Sequence, residues 1–153
     1  MFSPLASRLG ALRELRGPGE LVLLVRVSAF AAAVPLMMHL PLPRAAALLS
    51  RAPRRPRPAP CAAQIERLDR LATLAPRVAR PLVRPGCLTR GVTLFWFLRR
   101  AGLDVELRFG LDPREEHGTD GHCWLSLDGE PFLERRDPRP RFAELYRLPL
   151  ANA

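Results

Sequence analysis

The sequence contains no lysine, and all 24 of its basic residues are arginine. Usage this one-sided, in a chain rich in alanine, proline and leucine, indicates codon bias in a GC-rich genome. The net charge of +9 therefore argues only weakly for nucleic-acid binding, and no nucleic-acid recognition motif occurs in the chain. The charge does suit contact with an acidic peptide or protein surface.

Cysteine is also scarce. The three thiols, Cys61, Cys87 and Cys123, are odd in number and form no C-x-x-C pair. This argues against a disulfide framework or a zinc knuckle and favours a reducing cytoplasm. A metal site built from Cys87, His122 and Cys123 is disfavoured too, because neighbouring residues on a strand point to opposite faces. We therefore expect no metal and no cofactor.

The sequence lacks an uninterrupted apolar run of membrane-spanning length. In its most hydrophobic stretch, residues 20–40, the longest segment without a charged residue or a histidine, residues 27–38, is about a dozen residues, whereas a span needs about 20. We predict one or two core helices here, with a kink or break near Pro35, and no integral span. A peripheral membrane contact is the alternative. Residues 1–19 also lack the apolar core and cleavage site of a signal peptide.

The length of 153 residues is that of one domain, or of one domain with an arm. Residues 7–16 are predicted to form a short basic helix. Residues 51–60, rich in proline and arginine, are predicted to be an extended linker. We therefore divide the chain into a helical, basic N-terminal arm with its linker, residues 1–60, and a folded domain, residues 61–153.

The spacing of apolar residues defines the elements of that domain. After Gly102 the spacing changes from the period of a helix to the alternation of a strand. Before it, Pro76 is expected to end the first helix of the domain. The predicted elements are helices over 61–75 and 88–98, strands over 105–109, 122–127 and 132–135, and a final helical turn over 142–146. This order predicts an α+β fold, in which helices pack on one face of a small antiparallel sheet.

Cys87 comes directly after the turn residues Pro85 and Gly86, so it lies at the start of the helix over 88–98. Helix N–H groups there favour the thiolate over the thiol and can stabilise a developing oxyanion. Gly91, one turn further on, is expected to leave room beside the sulfur for a substrate.

A histidine on a later strand and an acid on the adjoining strand would complete a catalytic triad with Cys87. In such a triad the histidine takes the thiol proton and the acid orients the imidazole. His122 is the candidate base. Trp124 shares its predicted face, either as a wall of the substrate cleft or as a core residue.

The choice of acid depends on the hairpin register around Asp128 and Gly129. A three-residue loop over 127–129 would place Glu134 opposite His122. A two-residue turn would place Arg135 there instead and would bring Asp137 onto the same face. We prefer Glu134, with Asp137 as the second candidate.

These motifs resemble a known family. The pattern is Cys-Leu-x-Arg from Cys87, a helix ending Leu-Arg-Arg-x-Gly, then Leu-x-Phe-Gly, His-x-Trp and an acidic hairpin. Over residues 85–148 it resembles the stand-alone leader peptidase of lasso-peptide biosynthesis, a transglutaminase-like, papain-type cysteine protease. The resemblance matches Cys87 and His122 to the nucleophile and the base. Glu134 stands where the family usually has aspartate, and Cys123 beside His122 is a further departure.

The resemblance implies an activity and partners. The protein is expected to be a cytoplasmic cysteine endopeptidase that removes the leader from a ribosomally made precursor peptide, after which a separate cyclase closes the core. A small leader-recognition protein is the expected partner, and the cyclase is a further candidate. The alternatives are another thiol acyl-transfer enzyme, such as an amidase or transglutaminase, and a non-catalytic protein-binding module.

Overall fold

The structure, a computed structural model, describes residues 17–51, 58–80, 82–115 and 120–149. The predicted basic helix over 7–16 and most of the predicted linker over 51–60 lie outside the described residues. Within them, four helices precede four strands. The helices are α1 (Pro18–Met37), α2 (Leu42–Leu49), α3 (Ala62–Val78) and α4 (Cys87–Ala101). The strands are β1 (Glu106–Leu111), β2 (Gly121–Leu127), β3 (Glu130–Phe132) and β4 (Ala143–Leu148).

Two helices extend through a proline. α1 is a single helix that includes Pro35 and ends two residues later, at Met37. α3 includes Pro76, so the prediction that this residue ends the helix was wrong. Both prolines lie in the last turn, where the lost N–H bond affects few following residues.

One face of α1 packs against α3 and α4. Its buried residues Leu24, Val27, Ala31 and Val34 recur at spacings of three and four, as expected of a core-facing stripe. By length and composition α1 is the one helix of the described residues that is apolar enough to cross a membrane.

The division of the chain into an arm, residues 1–60, and a folded domain, residues 61–153, stays a prediction.

The strands form one antiparallel sheet in the order β3-β2-β1-β4. The α+β fold, with helices on a small antiparallel sheet, is confirmed. The final helical turn predicted over 142–146 was wrong, because the chain from residue 143 onward forms β4. There Leu148 pairs with Leu107 and Tyr146 pairs with Phe109 of β1. The local sequence pattern of this segment did not distinguish helix from strand. Pairing with the free edge of β1 makes it a strand.

The hairpin between β2 and β3 has a two-residue turn. Leu127 pairs with Glu130, and both turn residues are left-handed, with φ of 52° at Asp128 and 85° at Gly129. The preferred three-residue loop was therefore wrong. Two consecutive residues with positive φ are what a type I′ turn requires, and Asp-Gly is a preferred sequence for it.

α4 lies closely against the sheet at Gly91. A Cβ atom there would be 2.8 Å from Cys123 Sγ and 3.2 Å from Leu107 Cδ1. The space predicted to admit a substrate is therefore filled by strand side chains. The glycine brings α4 and the sheet together instead.

Candidate active site

Cys87 is the first residue of α4, and its side chain is half-buried. Gly86 is the N-cap, and no acidic residue lies in the first turn to offset the positive end of the helix dipole. The Cys87 Sγ atom lies 3.9 Å from the carbonyl oxygen of Gly121, at the start of β2. The helix start is thus held beside the strand that carries His122.

His122 and Glu134 are in contact. The Nε2 atom of His122 lies 3.4 Å from Oε2 of Glu134, and the two side chains are 26% and 14% exposed. Asp137 instead lies against Arg139, which donates hydrogen bonds to it and lowers its pKa. The first of the two predicted acids is therefore the one that reaches the imidazole.

The contact with Glu134 does not arise from strand pairing. β3 ends at Phe132, and Leu133 has a left-handed φ of 58° that turns the chain off the strand direction. β3 pairs only with residues 125–127 of β2, so no strand among the described residues covers the β3-side edge of β2 from Gly121 to Trp124. Glu134 and the start of α4 both reach β2 at this uncovered edge.

Two aromatic rings lie along the His122 imidazole. Phe142 stacks at a centroid distance of 5.1 Å and Trp124 at 6.1 Å. Trp124 is 2% exposed, so it is a buried support rather than an open cleft wall. A Cβ at Gly110 would be 3.0 Å from this indole ring and 2.8 Å from the carbonyl oxygen of Ala143. A glycine is therefore needed where β1 passes the tryptophan.

The neighbour of Phe142, Arg141, takes part in a set of ion pairs. The guanidinium of Arg141 lies 5.1 Å from the Phe142 ring centroid and donates a hydrogen bond to Asp112 Oδ2 at 3.0 Å. It also pairs with Asp120. Hydrogen bonds from Arg114, and then from Arg141, hold the pKa of Asp112 well below its usual range. These bonds tie the loop between β1 and β2 to the chain that precedes β4. Sequence reasoning did not find this arrangement.

Cys123 points toward α4, on the sheet face opposite to that of His122. It is buried, and its Sγ lies beside Gly91. Burial, followed by the nearby Cys87 and Glu134, raises the pKa of its thiol well above the usual range. A thiol that stays protonated is a poor nucleophile, so this residue belongs to the core.

Arg90 belongs to the Cys-Leu-x-Arg motif, but sequence reasoning gave it no role in the site. Its guanidinium reaches Glu134, the carbonyl oxygen of Leu133 and the carboxylate of Asp69 on α3. The available signal was its position three residues after Cys87, which places both side chains on one side of α4.

The arrangement combines a thiol at a helix N-terminus with an imidazole that touches a carboxylate. These groups suit nucleophilic catalysis of acyl transfer. Among the described residues, no group of three or more histidine, cysteine, aspartate or glutamate side chains is placed to hold a metal ion.

Comparison with known proteins identifies the family. The sequence model of the transglutaminase-like superfamily matches residues 30–147, which is more than half of the chain. Neither a curated protein nor a solved structure gives a significant match. Members of this superfamily are commonly cysteine peptidases or acyltransferases. A cysteine at a helix start, beside a strand that carries a histidine in contact with an acid, accords with this chemistry, and the chain belongs to the transglutaminase-like superfamily.

Proposed function

We propose that the protein is a cysteine peptidase with Cys87 as the nucleophile, His122 as the base and Glu134 as the orienting acid. The observation that carries the proposal is the contact between His122 Nε2 and Glu134 beside the start of α4. A carboxylate at Nε2 favours the proton on that nitrogen, which leaves Nδ1 free to accept the thiol proton.

The reaction then follows from these positions. The Cys87 thiolate attacks the scissile carbonyl, and the oxyanion that forms is stabilised by N–H groups at the start of α4. The C–N bond breaks as the His122 imidazolium gives its proton to the leaving amine. Water then attacks the thioester with the imidazole as base, which releases the carboxylate product and restores the thiol.

We propose that the substrate is the leader-bearing precursor of a lasso peptide. The support is the resemblance of residues 85–148 to the leader peptidase of that pathway. The exposed side chains of Arg135 and Arg136, directly after Glu134, add positive charge that would attract an acidic leader. The free thiols at Cys61 and Cys87 suit a reducing cytoplasm.

The proposed partners are a small leader-recognition protein and, as a further candidate, the cyclase. The outward face of α1 offers a surface for such a partner, because it exposes Val22, Val25 and Leu36 by 60%, 60% and 73%. Exposed apolar residues on one helix face are a common feature of protein-binding surfaces.

Mass spectrometry of the precursor tests the proposal. The precursor is incubated with its recognition protein and with wild type, Cys87→Ala or the matched control Cys61→Ala, whose thiol is exposed at the start of α3. Wild type and Cys61→Ala should cut one bond, and Cys87→Ala should cut none. Equal cleavage by Cys87→Ala would exclude this thiol as the nucleophile.

Membership in the superfamily also favours a second function, acyl transfer to an amine. The same thioester would then pass to an amine instead of water. Adding a primary amine to the reaction distinguishes the two. A peptidase releases a leader with a free carboxylate, whereas an acyltransferase releases the amide, which differs in mass.

A further inference from the structure

We propose that Arg90 is a positioning residue of this site. Its guanidinium holds Glu134 so that one carboxylate oxygen faces His122. The inference rests on the proposed function, because it concerns the residue that orients the base. It adds a role for an arginine of α4 and for its partner on α3, Asp69.

The contacts divide the Glu134 carboxylate between two groups. Arg90 Nη1 lies 3.4 Å from Oε1, and His122 Nε2 lies 3.4 Å from Oε2. Because each oxygen has a different partner, the contact with the guanidinium selects the rotation of the carboxylate that presents Oε2 to the imidazole.

Arg90 also fixes the backbone that carries this carboxylate. Its Nη2 donates a hydrogen bond to the carbonyl oxygen of Leu133 at 2.8 Å. Strand pairing ends at Phe132, so it does not hold Glu134. The arginine therefore supplies, from α4, the restraint that a longer β3 would have supplied. Since Cys87 lies one turn earlier on the same helix, α4 positions both the nucleophile and the acid.

Asp69 holds the guanidinium in place and balances its charge. Its Oδ1 accepts a hydrogen bond from Arg90 Nη2 at 2.7 Å, and the two side chains are 33% and 29% exposed. This second carboxylate balances the charge of the guanidinium, so Arg90 can orient Glu134 without adding a net positive charge beside His122.

The test measures the rate at which iodoacetamide alkylates Cys87, read by mass spectrometry across the pH range in which histidine titrates. The variants are Arg90→Gln, Arg90→Lys, Glu134→Gln and the double variant Arg90→Gln/Glu134→Gln. The matched control is Arg99→Gln. Arg99 also bonds a carboxylate and a backbone carbonyl from α4, but it lies twelve residues beyond Cys87, or roughly 18 Å along the helix.

We expect Arg90→Gln to lower the rate at neutral pH about tenfold or more, the size of a lost charged hydrogen bond. Arg90→Lys should recover only part of it, because lysine lacks the fork that reaches several acceptors. Arg90→Gln should have no further effect in the Glu134→Gln background, since Arg90 acts through Glu134. The control should match wild type.

Either of two results would overturn the inference: a wild-type rate and pH profile in Arg90→Gln, or independent, multiplying effects of Arg90→Gln and Glu134→Gln. If Arg90→Gln does not fold, Arg90→Lys and Asp69→Asn provide the same comparison. His122→Ala separates this inference from the proposed function. If His122→Ala loses reactivity and Arg90→Gln does not, only the role of Arg90 is overturned. If His122→Ala keeps the wild-type reactivity, the role of His122 as base is overturned.

Discussion

Gly91→Ala should destabilise the protein, although alanine is the better helix former. In the middle of an exposed helix this change stabilises by about 1 kcal/mol. Here the new Cβ would lie 2.8 Å from Cys123 Sγ and 3.2 Å from Leu107 Cδ1, both buried. Overpacking of this kind costs about 1–3 kcal/mol. We therefore expect a net loss of about 1 kcal/mol in the free energy of unfolding.

The size and sign of this effect can be checked by removing the atom that the new methyl group meets. In a Cys123→Ala background the principal clash is absent, so Gly91→Ala should become neutral or stabilising by up to about 1 kcal/mol. Urea unfolding of the four proteins, monitored by circular dichroism, gives the coupling directly. A Gly91→Ala protein more stable than wild type, with Cys123 present, would refute the close packing of α4 on β2.

Three further predictions concern the charged groups and the thiols. Glu134→Gln should reduce the proposed peptidase activity about 10²-fold or more, within the range for general acid–base catalysis. Asp137→Asn should retain that activity, and equal losses in the two variants would refute the choice of acid. Iodoacetamide should label Cys61 in the native protein but should label Cys123 only after unfolding, because burial raises the pKa of the Cys123 thiol. Labelling of both thiols in the native protein would count against the burial of Cys123. The lowered pKa of Asp112 stabilises the fold above the unfolded pKa of about 4, so the stability advantage of wild type over Asp112→Asn should shrink as pH falls below that value. An advantage that stays constant into acid would contradict it.

The sequence was most informative where structure is local. The turn before Cys87 and the apolar residues after it predicted a helix over 88–98, and α4 spans Cys87–Ala101. The alternation before and after the loop likewise located β1 and β2. These signals depend on neighbouring residues along the chain, which a single sequence displays directly.

The sequence was less informative where distant segments meet. The Asp-Gly turn at Asp128 allowed two registers, and the preferred one was wrong. Glu134 nevertheless lies against His122, because the left-handed Leu133 turns the chain after β3 ends. Sequence spacing could not show this turn, nor the contact of Arg90 with a carbonyl more than forty residues away. Such features depend on how α4 packs on the sheet.

The central claim is that Cys87 forms the covalent intermediate and that His122 activates it. It is tested most directly with a peptide from the proposed precursor that carries a chloromethyl ketone in place of the scissile bond, incubated with the full chain and the proposed recognition protein. Mass spectrometry should find one modification, on Cys87, which is lost in Cys87→Ala and strongly reduced in His122→Ala. Modification of Cys61 instead, or labelling of Cys87 at an unchanged rate in His122→Ala, would contradict the account.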